Sequence, residues 1–211
     1  MPLRRNQTSE DGTETVGSTS HVDSRLLPQL FAGIETRDQI TVLDLGSGSS
    51  ATLNYFSQLD APARVTFADV LEARPKLDAL ADSEDPFDPV EAMDIWRVQL
   101  DLAPATQIDY ILFWDYLHYF QREAIEALSN AIQPHIHKET RGYGFGSLHS
   151  DKPIRRGKYA VGNDAQVIIT PEADRLPFSH SQQVIADNFI CLQISRGTLL
   201  QEGHLELLLE V

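Results

Sequence analysis

The stretch TVLDLGSGSSATLNYF, residues 41–56, decides how this chain is read. A short β-branched apolar run ends in Asp44, passes through Gly46 and Gly48, and continues into a segment with helical spacing. Glycine permits positive φ and lets a ligand approach the backbone, while the first amides of the following helix have no intrahelical partner. Ser49 or Ser50 can cap that helix. A buried strand, a glycine turn and a capped helix are the opening unit of a parallel α/β sheet.

Outward from this unit, the same alternation continues. Upstream, DSRLLPQLFAGIE (23–35) has helical spacing of Leu26, Leu27, Leu30, Phe31 and Ile34. Downstream, ARVTFADV is a second strand ending at Asp69, followed by a helical stretch from Leu71 to Ala81 with Pro75 in its early part. WRVQLDL is expected as a third strand ending near Asp101, and IDYILFWD as a fourth ending at Asp115. REAIEALSNAIQPHI is a helix with Ile125, Leu128 and Ile132 on one face, and GYGFGSLHS a glycine-thinned strand. A polar segment from Asp151 to about Phe178 precedes a last helix in SHSQQVIADNF. The final ICLQISRGTLLQEGHLELLLEV contains two apolar runs with no helix between them, hence an antiparallel pair beside one edge. Strands alternating with helices give a doubly wound, mostly parallel sheet with right-handed crossovers, a three-layer sandwich.

At 211 residues and 42% hydrophobic, the chain supports one sizeable core. Residues 1–22 are expected to be a flexible tail, because Ser, Thr, Glu and Gly bury too little surface to offset ordering entropy, and 23–211 one domain. No segment approaches the roughly 18 consecutive apolar residues of a membrane span. The N-terminus lacks the apolar centre of a secretory signal. The single cysteine, Cys191, fits a reducing cytoplasm and sits among apolar neighbours as a core thiol. A net charge of -14 repels a phosphate backbone and argues against nucleic acid as a partner. The acidic run 77–94, interrupted by Pro86 and Pro89, reads as an exposed connection. A local basic patch remains at Lys152, Arg155, Arg156 and Lys158. His135 and His137 have an i, i+2 spacing but no accompanying carboxylates, so no metal site is expected and both are placed in solvent.

Three readings of the glycine turn compete. Gly46-Ser47-Gly48-Ser49-Ser50-Ala51 matches the dinucleotide pattern G-x-G-x-x-A, with Asp69 at the distance of a ribose-binding acid. Alternatively, glycine turns follow strands in many folds, and acids at strand ends often only solvate or cap. The third reading is a resemblance. LDLGSGSS, with its acid two residues before the first glycine, resembles the first motif of class I S-adenosylmethionine (SAM)-dependent methyltransferases. VTFAD, VQLDL, IDYILFWDYLHYF and EGHLELLLEV resemble successive motifs of the same family, in order, over most of the chain from Leu26. Many members carry a third glycine where this chain has Ser50. Charge separates the ligands: a pyrophosphate favours bare helix amides and is repelled by carboxylates, whereas SAM carries a cationic sulfonium and amine. Asp44, Asp69, Asp101 and Asp115 at successive strand ends form a negative rim that suits a cation.

The resemblance implies a seven-stranded sheet with an antiparallel C-terminal strand, SAM as cofactor, and a methyl acceptor that is a small molecule or a protein side chain. It implies Gly46, Ser47 and Gly48 against the methionine end with Asp44 orienting it, Asp69 on the ribose, and Asp101 with the Leu102 amide on adenine. Trp114 and Asp115 would border the methionine carboxylate and amine. His118, between Tyr116 and Tyr119, is the expected base if the acceptor must lose a proton; otherwise it only packs. His149, Arg155 and Tyr159, with Tyr116 and Tyr119, are expected on the acceptor side. Two rivals stand beside this: a catalytically silent SAM-fold binding protein, and an NAD(P)-dependent oxidoreductase.

Overall fold

The computed structural model describes residues 18–147, 155–175, 177–200 and 205–211, the side chains of 155 and 173–175 aside. The chain enters through β1 (Ser20–Val22), so the last residues of the expected tail form a strand, and continues into α1 (Leu27–Leu30). The helix expected over 23–35 is thus one α turn and a 3-10 turn at Ile34–Thr36, broken at Gly33, whose φ is +79°. Next come β2 (Ile40–Asp44), α2 (Ser50–Ser57), β3 (Ala63–Phe67) and α3 (Arg74–Ala81). Ser49 caps α2, its side chain accepting from the Ala51 amide at 3.1 Å.

The segment expected as a third strand is helical. It forms the second half of α4 (Pro89–Leu100), with Ala92, Trp96 and Leu100 buried four residues apart. The Asp88 carboxylate accepts from the amides of Val90 and Glu91, and Pro89 fits the first turn, where no amide donor is needed. The apolar period of 3.6 therefore overrides the β-branched look of WRVQLDL. After β4 (Ile108–Trp114), a 3-10 turn at Tyr116–Tyr119 and α5 (Arg122–Ile132) lead to β5 (Ile136–Gly146). The polar segment expected after it contains a hairpin, β6 (Arg155–Val161) and β7 (Val167–Arg175). α6 (Gln182–Asn188), β8 (Gln193–Leu199) and β9 (Leu205–Glu210) complete the chain, with β8 and β9 antiparallel as expected.

The main sheet has six strands in the order β3-β2-β4-β5-β9-β8, not seven, because α4 occupies the stretch of chain that would supply the extra edge strand. β3, β2, β4 and β5 are parallel; β9 runs antiparallel between β5 and β8. A second sheet, β1-β7-β6, is wholly antiparallel. It is tied to the main body where the Val161 amide donates to Thr52 Oγ1 of α2 at 3.1 Å. Strand order turns between β2 and β4, and in open α/β sheets the crevice outside the carboxyl ends at such a point holds ligands.

His135 is buried rather than solvated, its Nδ1 2.9 Å from the Thr106 carbonyl, and His137 lies 3.4 Å from the Asp109 carboxylate. No helix among the described residues is long and apolar enough to cross a membrane.

Candidate functional site

The glycine turn stands at the end of β2. Asp44 is buried, and its Oδ1 accepts from the Gly46 amide at 2.9 Å and the Trp114 indole at 2.8 Å. Burial raises its pKa to about 6 against the pull of those two donors. A Cβ on Gly46 would lie 3.1 Å from the Tyr116 hydroxyl, so the phenol rests directly on the turn. Gly48 has a φ of +96° and lies under the Phe67 ring, which a Cβ there would approach to 3.3 Å. The turn, Tyr116 and the hairpin residues Lys158, Tyr159 and Ile168 enclose a cavity of about 230 Å³.

Trp114 ends β4 with a φ of +49°, which a bulky side chain rarely adopts and which costs on the order of 1–3 kcal/mol. The kink lets its indole reach Asp44 and stack on Tyr159, with ring centroids 5.5 Å apart and 9° between planes. Asp69 and Asp101 also have left-handed backbone, at +36° and +45°. Three of the expected cofactor residues therefore carry local strain, which persists only where the surrounding structure over-determines it.

Asp69 lies two residues beyond β3, half-buried. Burial and Glu72 raise its pKa, while Arg156 and Lys158 of the hairpin oppose them. The same two cations pair with Glu172, Lys158 at 3.0 Å. Asp101 is exposed at the end of α4, not at a strand end, and Leu102 follows it half-buried. The neighbourhood nevertheless holds: the Gln99 side-chain amide donates to the carbonyls of Ala68 at 2.6 Å and Asp69 at 3.1 Å. The end of α4 is thereby tied to the Asp69 turn.

Asp115, expected beside the methionine amine, does not line the cavity on the glycine turn. It is buried behind Tyr159, whose hydroxyl donates to its Oδ2 at 3.0 Å. Its Oδ1 and the buried Tyr119 hydroxyl have no hydrogen-bond partner among the described residues. Burial pushes the Asp115 carboxyl up to about 8, held back by the Tyr159 phenol and the Gly157 amide.

His118 cannot serve as the expected base. It is fully buried, its Nδ1 accepts from the His180 amide at 3.1 Å, and its Nε2 faces the Phe145 carbonyl at 3.0 Å. That pair of contacts fixes the neutral tautomer with the proton on Nε2 and leaves no free lone pair. Burial, with His180 nearby, lowers its pKa to about 4. Its carbonyl also accepts from the Phe178 amide, so His118 fastens the chain after the hairpin to the turn after β4. His149 lies outside the described residues, and Arg155 is placed by its backbone alone.

No family model and no curated protein matches the sequence. Among solved structures, it is similar to Burkholderia thailandensis 1,6-didemethyltoxoflavin-N1-methyltransferase, crystallised with its substrate and S-adenosylhomocysteine (SAH). Identity is 15%, coverage 87% of this chain and 75% of that one, and the TM-score 0.50. The chain has the class I methyltransferase fold. A SAM-dependent methyltransferase from Clostridium acetobutylicum is also similar at 10% identity, covering 90% and 92% of the two chains with a TM-score of 0.48.

Within that fold, the crevice brings together Asp44, the glycine turn, Asp69, Trp114, Tyr116 and Tyr159. Several partners had no signal in the sequence. Thr52, Gln99 and His180 act through long-range hydrogen bonds. Glu206 of β9 is buried, accepting from Tyr143 at 2.5 Å and from the Arg25 and Leu26 amides at the start of α1. Tyr143 in turn packs edge-on against Trp114.

Proposed function

We propose that the protein binds SAM in the crevice outside β2, β3 and β4 and methylates a small-molecule acceptor. The observation that carries this reading is the pair of acids at the glycine turn: Asp44 and Asp69 follow two neighbouring parallel strands, and the Asp69 amide donates to the Gly46 carbonyl at 3.1 Å. Such a rim attracts a sulfonium and an ammonium and repels a pyrophosphate, which weighs against a dinucleotide. The SAH bound in the Burkholderia enzyme of the same fold supports the same ligand class.

The residues present fit that cofactor in chemistry. Gly46, Ser47 and Gly48 offer a side-chain-poor cradle, and Gly48 can hold its φ of +96° only as glycine without strain. Asp44 orients the methionine end, Asp69 takes the ribose hydroxyls in a charge-assisted pair, and the chain at Asp101 and Leu102 borders adenine. When bound, the cofactor supplies a methyl group already activated on a sulfonium. The protein's work is then alignment and exclusion of water. Trp114, Tyr116 and Tyr159 form the apolar wall for both. With His118 locked, no imidazole base is assigned. The acidic surface turns nucleic acid away, and the single cysteine fits a cytoplasmic location.

A second reading, a SAM-fold binding protein without turnover, rests on one observation. The cavity of about 230 Å³ is below the roughly 300–1,000 Å³ of small-molecule sites, with Tyr116 and Tyr159 in its lining. Calorimetric titration with SAM, SAH, NADH and NADPH tests the assignment. Binding of the two sulfur ligands alone is expected. Binding of a nicotinamide ligand alone would overturn it, and silence from all four would favour the second reading.

A further inference from the structure

Among the described residues, two phenols line the cavity on the glycine turn, and they are held differently. Tyr159 donates to Asp115 at 3.0 Å and stacks on Trp114. The Tyr116 hydroxyl makes no hydrogen bond among the described residues, although Tyr116 is only 5% exposed. Packing holds its ring, with the Tyr119 centroid 5.7 Å away, so the side chain can leave its place without breaking a hydrogen bond. Its backbone is fixed. The turn Tyr116–Tyr119 is tied by the His118 amide to the Asp115 carbonyl at 3.0 Å and by the Phe178 amide to the His118 carbonyl at 3.1 Å. Motion here is the rotation of one side chain on a rigid turn.

That side chain stands on the place a ligand would use. A Cβ added to Gly46 would lie 3.1 Å from the Tyr116 hydroxyl, 3.4 Å from its Cε2 and 3.2 Å from Asp44 Oδ1. Gly46 has no positive φ, so the demand at this position is for space. A ligand carbon in contact with the turn stands about 3.5–4 Å off it, further out than a Cβ, and on that side it meets the phenol. Phenol and carboxylate converge on one spot, and the phenol covers the acid that orients the methionine end in the proposed site. Burial, with Asp115, Asp44 and Asp69 nearby, raises the phenol's pKa, so the cover stays neutral. The cavity of about 230 Å³ is the space left with the ring in place.

We propose that Tyr116 gates the methionine end of the crevice: its phenol occupies the space over Gly46 and Asp44 that the amino-acid part of the cofactor needs, and rotates off the turn when that part enters. The adenosine part does not pass this point, because Asp69 lies beyond β3 and Asp101 at the end of α4. Tyr116 therefore discriminates by ligand structure, holding back a nucleoside that carries an amino-acid tail and not one without it. A ligand that binds only the open state is weakened by the open fraction. Minor states are commonly about 0.1–10% populated, so the closed ring weakens binding of the tail by about tenfold or more. The gate rests on the methyltransferase reading, since it names the part of that cofactor it excludes.

The probes are SAH and 5′-methylthioadenosine, which keeps the adenosine and the sulfur but lacks the amino-acid group. Both are titrated calorimetrically into the full chain and into Tyr116→Ala. Removing the ring should tighten SAH about tenfold or more and leave the nucleoside little changed, so the ratio of the two affinities rises. An unchanged ratio, as a general loosening of the cavity would give, overturns the gate. A lower ratio overturns it too, and makes Tyr116 a contact that holds the tail. In both cases SAH binding to the unaltered chain leaves the cofactor reading standing. If neither chain binds either compound, the cofactor reading itself falls and the gate with it. Circular dichroism establishes that the variant folds. If it does not, Tyr116→Leu keeps apolar bulk beside Tyr119 while withdrawing the atoms that reach Gly46, and the same rise in the ratio is expected.

Discussion

Single residues in this protein are held away from their ordinary chemistry by burial, and the consequences have definite signs. Asp115 is held near 8, so the folded chain keeps a proton that the unfolded chain has released above an ordinary carboxylate value of about 4. Stability from this group is full below that value and is lost as pH rises toward 8. Asp44 has the same sign, with its loss complete near 6. His118, lowered to about 4, works in the opposite direction: stability is lost as pH falls below the ordinary histidine value of about 6.5. Between about pH 6.5 and 8 the loss from Asp115 outweighs the residual gain from His118 and His180, both lowered by burial, and unfolding free energy should fall by on the order of 1 kcal/mol. Denaturant titrations through that window check this, and Asp115→Asn should flatten the slope. In the crevice, Asp69→Ala should weaken SAM binding about tenfold or more, by loss of a charge-assisted pair. Unchanged affinity in calorimetry would remove Asp69 from the site.

At the scale of elements, α4 and the β6–β7 hairpin set the character of the crevice. α4 depends on its Asp88 cap, which accepts from two amides that otherwise have no partner in the helix. Asp88→Ala should cost about 1 kcal/mol in denaturant unfolding with little change in ligand affinity. The hairpin roofs the glycine turn through Lys158, Tyr159 and Ile168. A cavity of about 230 Å³ has to widen for a SAM-sized ligand, and the turn below it is fixed by backbone and buried bonds. Hydrogen exchange should therefore change on SAM addition in β6 and β7, while β2 and β4 keep their protection. A response confined to the main sheet would show that the roof does not move.

For the whole molecule, the net charge of -14 and the six-stranded sheet matter most. Like charges on the surface repel one another in the compact state, and salt screens them within a Debye length of about 10 Å at 0.1 M. Raising ionic strength from about 0.01 M to 0.15 M should lift Tm by about 2–4 °C, the shift that roughly 1 kcal/mol makes in a chain of this size. Scanning calorimetry at the two salt levels checks it. The fold itself rests on non-local order: β9 threads between β5 and β8 and places Glu206 under the start of α1.

Much of this was legible in the residues. Asp44-Leu45-Gly46 after a β-branched run, Ser49 before a helical pattern, and two terminal apolar runs without a helix all depend on local propensity, which neighbours in sequence carry. The helix over 89–100 was legible too, since Asp88-Pro89 followed by Glu91 is a cap signature, but the β-branched look of 96–102 masks it. What only the tertiary structure decided is which groups are free to act. His118 reads as a base from its position, yet amide and carbonyl groups distant in the chain occupy both of its nitrogens. Asp115 reads as one more strand-end acid, yet Tyr159, arriving from the hairpin, buries it and leaves one oxygen unpaired. Propensity and period are properties of short segments, whereas proton affinity and hydrogen-bond satisfaction depend on desolvation by residues far apart in sequence.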